Sequence, residues 1–203
     1  MIKIKFSKIE LRDLAKAWLI ISIAFAIVLS REARYDFILI LKNFILSAVT
    51  VGVGFLLHEM GHKIVAQRYG CFAEFRADNF MLLVAVLTSF LGVVFAAPGA
   101  VMIAGHVGKE RNGKISLAGP ATNLVLAILF IGLAFIFTEG FMARIISFGV
   151  LVNVWLGLFN LIPVWLLDGK KILKWNKLVY FITLGIGIFL FVIRYYLPLA
   201  PLF

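Results

Sequence analysis

The stretch FILILKNFILSAVTVGVGFLL, residues 37–57, runs directly into HEMGH, residues 58–62. An apolar run of this length can cross the hydrocarbon core of a bilayer, which takes about 20 residues of α-helix. If the helix continues through the second stretch, His58 and His62 lie one turn apart on the same face and can bind a single Zn²⁺, with Glu59 beside the metal. The two stretches together predict a membrane helix that carries a zinc-binding motif.

The composition of the whole chain agrees with a membrane protein. Hydrophobic residues make up 63% of the 203 residues and charged residues only 15%, against roughly a half and a quarter in soluble domains. Besides the opening stretch, we expect crossing helices over about residues 15–30, 117–137, 145–165 and 178–197. The predicted fold is an all-α polytopic membrane protein with about five to six transmembrane helices. We expect residues 1–203 to form a single integral membrane domain, without an appended PDZ or CBS domain.

The basic residues are distributed unevenly along the chain, and this predicts its orientation. The formal net charge is +10. With the N-terminus in the cytoplasm, fifteen of the 20 Lys and Arg residues flank cytoplasmic helix ends and five lie near the other side. We therefore expect a multi-pass protein of the cell membrane that faces anionic lipid headgroups, and no nucleic-acid partner.

The apolar segment from Met81 to Gly105 is long enough to cross the membrane, but a single crossing would reverse the orientation of everything downstream. We therefore expect it to enter the membrane and return. Its β-branched and aromatic residues, together with Pro98-Gly99, favour strands or a re-entrant hairpin within residues 70–106 over a helix. An open strand edge beside a protease site could pair with an extended substrate.

A catalytic zinc site needs a third protein ligand and an open fourth position. Glu74, in the pattern E-x-x-x-D, is one candidate, but it follows His62 too closely to lie on a separate packing helix. Asp168, at the cytoplasmic end of the fourth predicted helix, is the other. Its alternative role is to cap the following turn, with Gly169 in a positive-φ conformation. Topology favours Asp168 as ligand, because the second and fourth helices both run inward and bring it level with His62.

Three motifs in order resemble the site-2 family of intramembrane zinc metalloproteases. They are H-E-x-G-H at residues 58–62, A-G-P-x-x-N at residues 118–123, and N-x-x-P followed by L-D-G at residues 160–169. The resemblance covers the helices from about Phe37 to Lys170. Lys170 stands where family members often have a second glycine.

The resemblance implies a role for each motif residue. One Zn²⁺ per chain would be bound by His58, His62 and Asp168, with Glu59 as the catalytic base for the attacking water. Asn160 would be an active-site polar residue that donates to the developing oxyanion or holds the peptide backbone; its alternative is an interhelical hydrogen bond. The implied activity is hydrolysis of peptide bonds in transmembrane or juxtamembrane segments of membrane-protein substrates.

Two other functions use the same residues. A membrane metal-ion transporter or metal-binding protein could use the His/His/Asp cluster, although it has less need of Glu59 as a base that is not a ligand. A catalytically inactive scaffold is disfavoured because every expected site residue is present. Among the remaining marked residues, we expect His106 to be an interfacial or loop residue, with a metal ligand as the alternative. We expect Asn123 to join helices, with lining of the site as its alternative, and Gly52 and Gly54 to permit close helix contact.

Overall fold

The computed structural model describes residues 4–31, 36–95, 97–105, 107–165 and 167–201. His106 lies outside these residues. The elements in chain order are α1 (Lys8–Leu29), α2 (Phe37–Ser47), a π-helical turn (Ala48–Gly52), α3 (Val53–Arg68), β1 (Phe72–Ala77), α4 (Asn79–Ser89), β2 (Gly99–Ala104), α5 (Lys109–Ala134), α6 (Gly140–Asn160), α7 (Asp168–Trp175), α8 (Lys177–Ile193) and a 3₁₀ turn (Arg194–Tyr196).

Four helical stretches among the described residues are long and apolar enough to cross a membrane: Phe37–Arg68, Lys109–Ala134, Gly140–Asn160 and Lys177–Tyr196. They match four of the five predicted crossings, so the predicted fold class is confirmed. The remaining crossing, over residues 15–30, falls within α1. Helix α1 is not one of the four, because Arg12, Asp13 and Lys16 leave only a short apolar stretch after them.

Small residues let the zinc-motif helix α3 approach its neighbours closely. A Cβ atom added to Gly61 would lie 2.8 Å from both the Ala118 carbonyl oxygen and the Thr122 hydroxyl of α5. A Cβ on Gly54 would lie 2.7 Å from the Asn153 side-chain oxygen of α6. The predicted close contact at Gly52 is also present, against the Trp18 indole of α1. Two helices that meet at a glycine can bring their backbones close together, and van der Waals contact of this kind drives helix association in membranes.

The segment between α3 and α5 returns to the place where it starts, as predicted, but its first part is helical. Strands β1 and β2 pair antiparallel, and the Asp78 N–H donates to the Pro98 carbonyl at 3.0 Å, so the two ends of the segment meet. The expectation of strands in place of a helix is wrong for α4. The Asp78 carboxylate caps its first turn by accepting from the Met81 N–H, and no glycine or proline interrupts residues 79–89. Among the described residues, strand content is confined to β1 and β2.

Helix α6 ends at Asn160, and Asp168 is the first residue of the separate short helix α7. Pro163 stands in the intervening turn, where a proline cannot continue a helix. Gly169 does not adopt positive φ, contrary to the capping interpretation. A Cβ at this position would instead lie 2.0 Å from the Leu161 carbonyl oxygen. The glycine allows the first turn of α7 to rest against the end of α6.

The start of α1 covers the edge of β1 that faces away from β2. The Glu10 carboxylate accepts from the Phe75 N–H at 2.9 Å, and the Asp13 carboxylate accepts from the Ala77 N–H at 3.3 Å. The second Glu10 oxygen accepts from the Lys63 ammonium of α3, and both side chains are fully buried. Glu10 therefore joins α1, α3 and β1.

Candidate metal centre

Three side chains from two separated parts of the chain meet at the inner face of α3. The His58 and His62 Nε2 atoms lie 3.0 Å apart, and the Asp168 Oδ2 atom lies 3.4 Å from the first and 3.1 Å from the second. The relative exposure of these residues is 5%, 9% and 7%. Within the described residues, this is the group of His, Cys, Asp and Glu side chains that could hold a metal ion.

The spacing of the three atoms suits a tetrahedral zinc ion. With bonds of about 2.0–2.1 Å to nitrogen and oxygen, ligand atoms at two corners of a tetrahedron are about 3.3 Å apart. The backbone of α5 also leaves room for an ion. A Cβ added to Gly119 would lie 2.4 Å from the His62 Nε2 and 2.5 Å from the His58 Nε2. The hydrogen atoms of this glycine thus border the space that a bound ion would fill.

The donor set carries the charge that a divalent cation needs. Burial raises the pKa of the Asp168 carboxyl, but the neighbouring His58 and His62 side chains outweigh burial, so the pKa lies below its ordinary value. The carboxylate is therefore ionised at neutral pH. Lys171, one turn along α7, keeps its ammonium 3.9 Å from the other Asp168 oxygen and is partly exposed. Two imidazoles and one carboxylate are a set of three protein ligands of the kind found in catalytic zinc sites, which keep the fourth position for water.

Glu59 lies next to the first histidine and is itself buried, with 8% relative exposure. Its carboxylate accepts from the Val101 N–H of β2 at 3.0 Å. Val101 opposes Phe75 in the hairpin, and the Phe75 N–H points away from β2 toward Glu10. The Val101 N–H therefore lies on the outer edge of β2, and this edge faces Glu59.

The two histidines are oriented by partners that the sequence did not reveal as such. The His58 Nδ1 contacts the Asn123 side-chain oxygen at 2.6 Å, and the His62 Nδ1 contacts the Ile115 carbonyl at 2.8 Å. Asn123, expected to join helices with lining of the site as the alternative, does both: it bonds to Asn153 of α6 and contacts a candidate metal ligand. The one available signal was its place in the motif at residues 118–123.

Other predicted residues lie apart from this cluster. The Asn160 amide donates to the Leu156 carbonyl of its own helix at 2.9 Å. Glu74 bonds to Ser7, which caps α1, and to Arg76 of its own strand β1. Neither residue belongs to the His/His/Asp group within the described part of the chain.

Comparison with curated proteins finds relatives named as zinc metalloproteases. Over 143 residues, the chain is 43% identical to "Putative zinc metalloprotease MJ0611" of Methanocaldococcus jannaschii, covering 69% of this chain and 75% of the relative. It is 29% identical over 123 residues to zinc metalloprotease MJ0392 of the same organism, covering 60% of the chain and 31% of the relative. "Putative zinc metalloprotease Rip3" of Mycobacterium tuberculosis is 31% identical over 147 residues, covering 69% and 34%.

The chain therefore corresponds to most of the first relative and about a third of each of the other two. No model of a known protein family matches the chain. No solved structure matches it either.

Proposed function

The chain belongs to the same zinc metalloprotease family as MJ0611, and on this premise we propose that it is an intramembrane endopeptidase of the site-2 type. Its substrates are transmembrane or juxtamembrane segments of other membrane proteins. The observation that carries the proposal is the convergence of His58, His62 and Asp168, with Glu59 buried beside them, in a chain with four helices suited to a membrane.

One Zn²⁺ per chain would be held by the two Nε2 atoms and the Asp168 carboxylate. When bound there, it supplies a Lewis acid that polarises a peptide carbonyl and makes water more acidic. Glu59 is positioned to accept a proton from the attacking water and to return that proton to the leaving amine. The proposed role of Asn160 in holding the substrate or its oxyanion requires its amide to exchange the bond to Leu156 for one to the substrate.

The substrate backbone reaches the site in an extended form. Amides in an intact helix are hydrogen-bonded to one another, so a membrane segment must unwind locally before it can be cut. The outer edge of β2 supports this proposal, because the Val101 N–H on that edge is within hydrogen-bonding distance of Glu59. A strand added to this edge would run past the metal-binding side chains.

We place the N-terminus and the entrance to the site on the cytoplasmic side of the cell membrane. The support is the excess of Lys and Arg around the predicted cytoplasmic helix ends. The same residues would contact anionic headgroups, and this explains the basic composition without a nucleic-acid partner. Water would enter from this face.

The decisive experiment compares zinc content and proteolysis in Glu59→Gln and Asp168→Ala variants. General acid–base catalysis is worth about 10²- to 10⁴-fold, so Glu59→Gln should keep one zinc per chain and lose at least that much cleavage of a membrane substrate in liposomes. Asp168→Ala should lose the zinc itself. Glu110→Gln, at an exposed position that pairs with Lys114, is the control and should cleave normally.

Two outcomes would contradict the proposal. Cleavage by Glu59→Gln at the wild-type rate would exclude Glu59 as the base. Zinc transport across the liposome membrane, lost in Asp168→Ala but retained in Glu59→Gln, would instead assign the cluster to a transporter.

A further inference from the structure

The two metal-binding histidines are held by different kinds of partner. The His62 Nδ1 faces a backbone carbonyl, that of Ile115. A carbonyl can only accept a hydrogen bond, so the proton of this ring must be on Nδ1. The His58 Nδ1 faces a side-chain amide, that of Asn123. An amide can present either its oxygen or its NH₂ group. Which ring nitrogen of His58 carries the proton therefore depends on the other hydrogen bonds of Asn123.

Asn123 is held by acceptors. Its NH₂ group donates to the Gly54 carbonyl at 3.1 Å and to the Asn153 side-chain oxygen at 3.0 Å. The Asn153 NH₂ group in turn donates to the Gly149 carbonyl at 2.9 Å. Because both backbone carbonyls must accept, neither amide can be reversed without losing bonds. The Asn123 oxygen is therefore left for the proton on the His58 Nδ1.

The chain of amides is fully enclosed and links three helices. Asn123 and Asn153 both have 0% relative exposure, and they connect α3, α5 and α6. An unpaired amide inside a membrane protein is costly. Here the oxygen and the NH₂ group of both amides have hydrogen-bond partners. Gly54 leaves the space that the Asn153 amide occupies, since its Cβ would lie 2.7 Å from that oxygen.

We propose that Asn123 and Asn153 act as a relay of positioning residues that keeps the proton of His58 on Nδ1 and its Nε2 free to bind zinc. Asn153 acts only through Asn123, because its described bonds are to Asn123 and Gly149. The inference rests on the proposed zinc protease function. It implies that the two ligands differ: side-chain substitutions can release His58, whereas His62 is fixed by the backbone.

The test is the zinc affinity of the purified protein, measured by competition with a chelator, for the wild type, Asn123→Ala, Asn153→Ala and the double variant. Loss of a partner that orients a metal ligand typically weakens metal binding about 10- to 100-fold. We expect this loss in Asn123→Ala and a smaller, several-fold loss in Asn153→Ala. The absorption spectrum of the Co²⁺-substituted protein should change in both variants.

The double variant separates a relay from general loosening of the fold. If Asn153 acts through Asn123, the double variant should bind zinc about as tightly as Asn123→Ala alone. Asn43→Ala is the matched control. Asn43 is also buried, but it bonds to Leu29 and Ser30 at the C-terminal end of α1, away from the histidines. Its zinc affinity should equal that of the wild type.

Three results would overturn the relay: wild-type zinc affinity in Asn123→Ala, independent losses that multiply in the double variant, or an equal loss in Asn43→Ala. A wild-type protein that binds no zinc would defeat the proposed function itself. Failure of the relay and failure of the function are thus distinguished by the wild-type measurement.

Discussion

Gly119 is the residue on which the space for a metal ion most directly depends. Of the glycines in the described part of the chain, Gly119 is the one at which an added Cβ would lie within 2.5 Å of both the His58 and the His62 Nε2 atoms. A side chain at this position would take the volume that the ion needs. The requirement for glycine here is steric, because the residue lies within α5 at helical φ and ψ.

We expect Gly119→Ala to abolish zinc binding, with at least about a 100-fold loss of affinity, because the added Cβ would lie about as close to the two nitrogens as the ion itself. Isothermal titration with zinc gives the affinity, and circular dichroism checks the fold. Gly132→Ala is the matched control on the same helix, since no atom lies within 4 Å of its added Cβ. Its zinc affinity should be unchanged. Normal zinc binding by Gly119→Ala would show that the ion lies elsewhere.

The sequence predicted the three residues whose spacing is local and the distant Asp168, but not the side-chain contacts that position His58. His58, Glu59 and His62 follow from helical periodicity, and Asp168 from the direction of two helices. The structure brings both histidines and Asp168 together. Asn123 and Asn153 are 65 and 95 residues from His58 along the chain. Their contacts depend on how α3, α5 and α6 are rotated against one another, which apolar sequences do not reveal.

Among the helices and strands, α1 holds the hairpin against the zinc-motif helix. Glu10 contributes one oxygen to β1 and the other to Lys63, and the Lys63 ammonium lies 4.1 Å from the centre of the Phe6 ring. Lys63 immediately follows His62. The position of the hairpin beside Glu59 is therefore linked to the N-terminal part of the chain.

Glu10→Gln keeps an acceptor for the Phe75 N–H but leaves the buried Lys63 ammonium without its counter-charge. Removing one partner of a buried ion pair costs about 3–5 kcal/mol, and we expect that loss in the free energy of unfolding, measured in detergent. Adding Lys63→Met to Glu10→Gln should recover most of the loss. Equal stability of the single and double variants would show that the ion pair is not the cause.

Asp13 makes the attachment of α1 to β1 sensitive to acid. Burial raises the pKa of its carboxyl, but the Ala77 N–H and the Lys16 ammonium, 3.3 Å away, outweigh burial and lower the pKa. A lowered pKa in the folded state stabilises the protein above the unfolded value of about 3.9 and loses that effect as the pH falls below it.

Asp13→Asn should therefore melt at a lower temperature than the wild type at pH 7, because Asn still accepts from Ala77 but no longer pairs with Lys16. The difference in melting temperature should shrink as the pH is lowered from about 5 to below 4. Thermal unfolding of both proteins across this range is the measurement. A difference that stays constant with pH would exclude the carboxylate as its source.

Helices could be predicted from the sequence where the apolar run was long enough to exclude a strand. The run from Phe37 into the histidines is one continuous helical stretch, as expected, although it contains a π-helical turn that no residue pattern announced. Helix α4 was missed because valine and phenylalanine suit either structure in a short apolar run. The signal that favours a helix here is the capping residue Asp78, followed by eleven residues without glycine or proline.

In the whole molecule, the return of the segment between α3 and α5 determines which way the later helices run relative to α3. Helix α4 has 11 residues and is about 16 Å long, against about 30 Å for the hydrocarbon core. It lies beside α1, with Asn79 bonded to Lys16 and the Leu91 carbonyl to Arg31. Strand β1 follows α3 and strand β2 precedes α5. Because the two strands pair, the start of α5 lies close to the end of α3.

This arrangement predicts the sidedness of three exposed positions. In a Cys71→Ala background, single cysteines at Arg68 and Lys109 should react with an impermeant thiol reagent from the same face of the membrane, and a cysteine at Glu139 from the opposite face. Labelling of intact and of opened vesicles gives the comparison. Reaction of Arg68→Cys and Lys109→Cys from opposite faces would mean that the segment between them crosses the membrane.

The occupied edge of β1 also limits how two copies of the protein can meet. Unpaired strand edges attract other backbones, but on β1 the carboxylates of α1 already satisfy the outward N–H groups of Phe75 and Ala77. The other outer edge of the hairpin is that of β2, where the Val101 N–H donates to Glu59, so a neighbouring strand would have to displace this bond. A second copy paired with this edge would occupy the position proposed for the extended substrate, so such a dimer would block access to the candidate site.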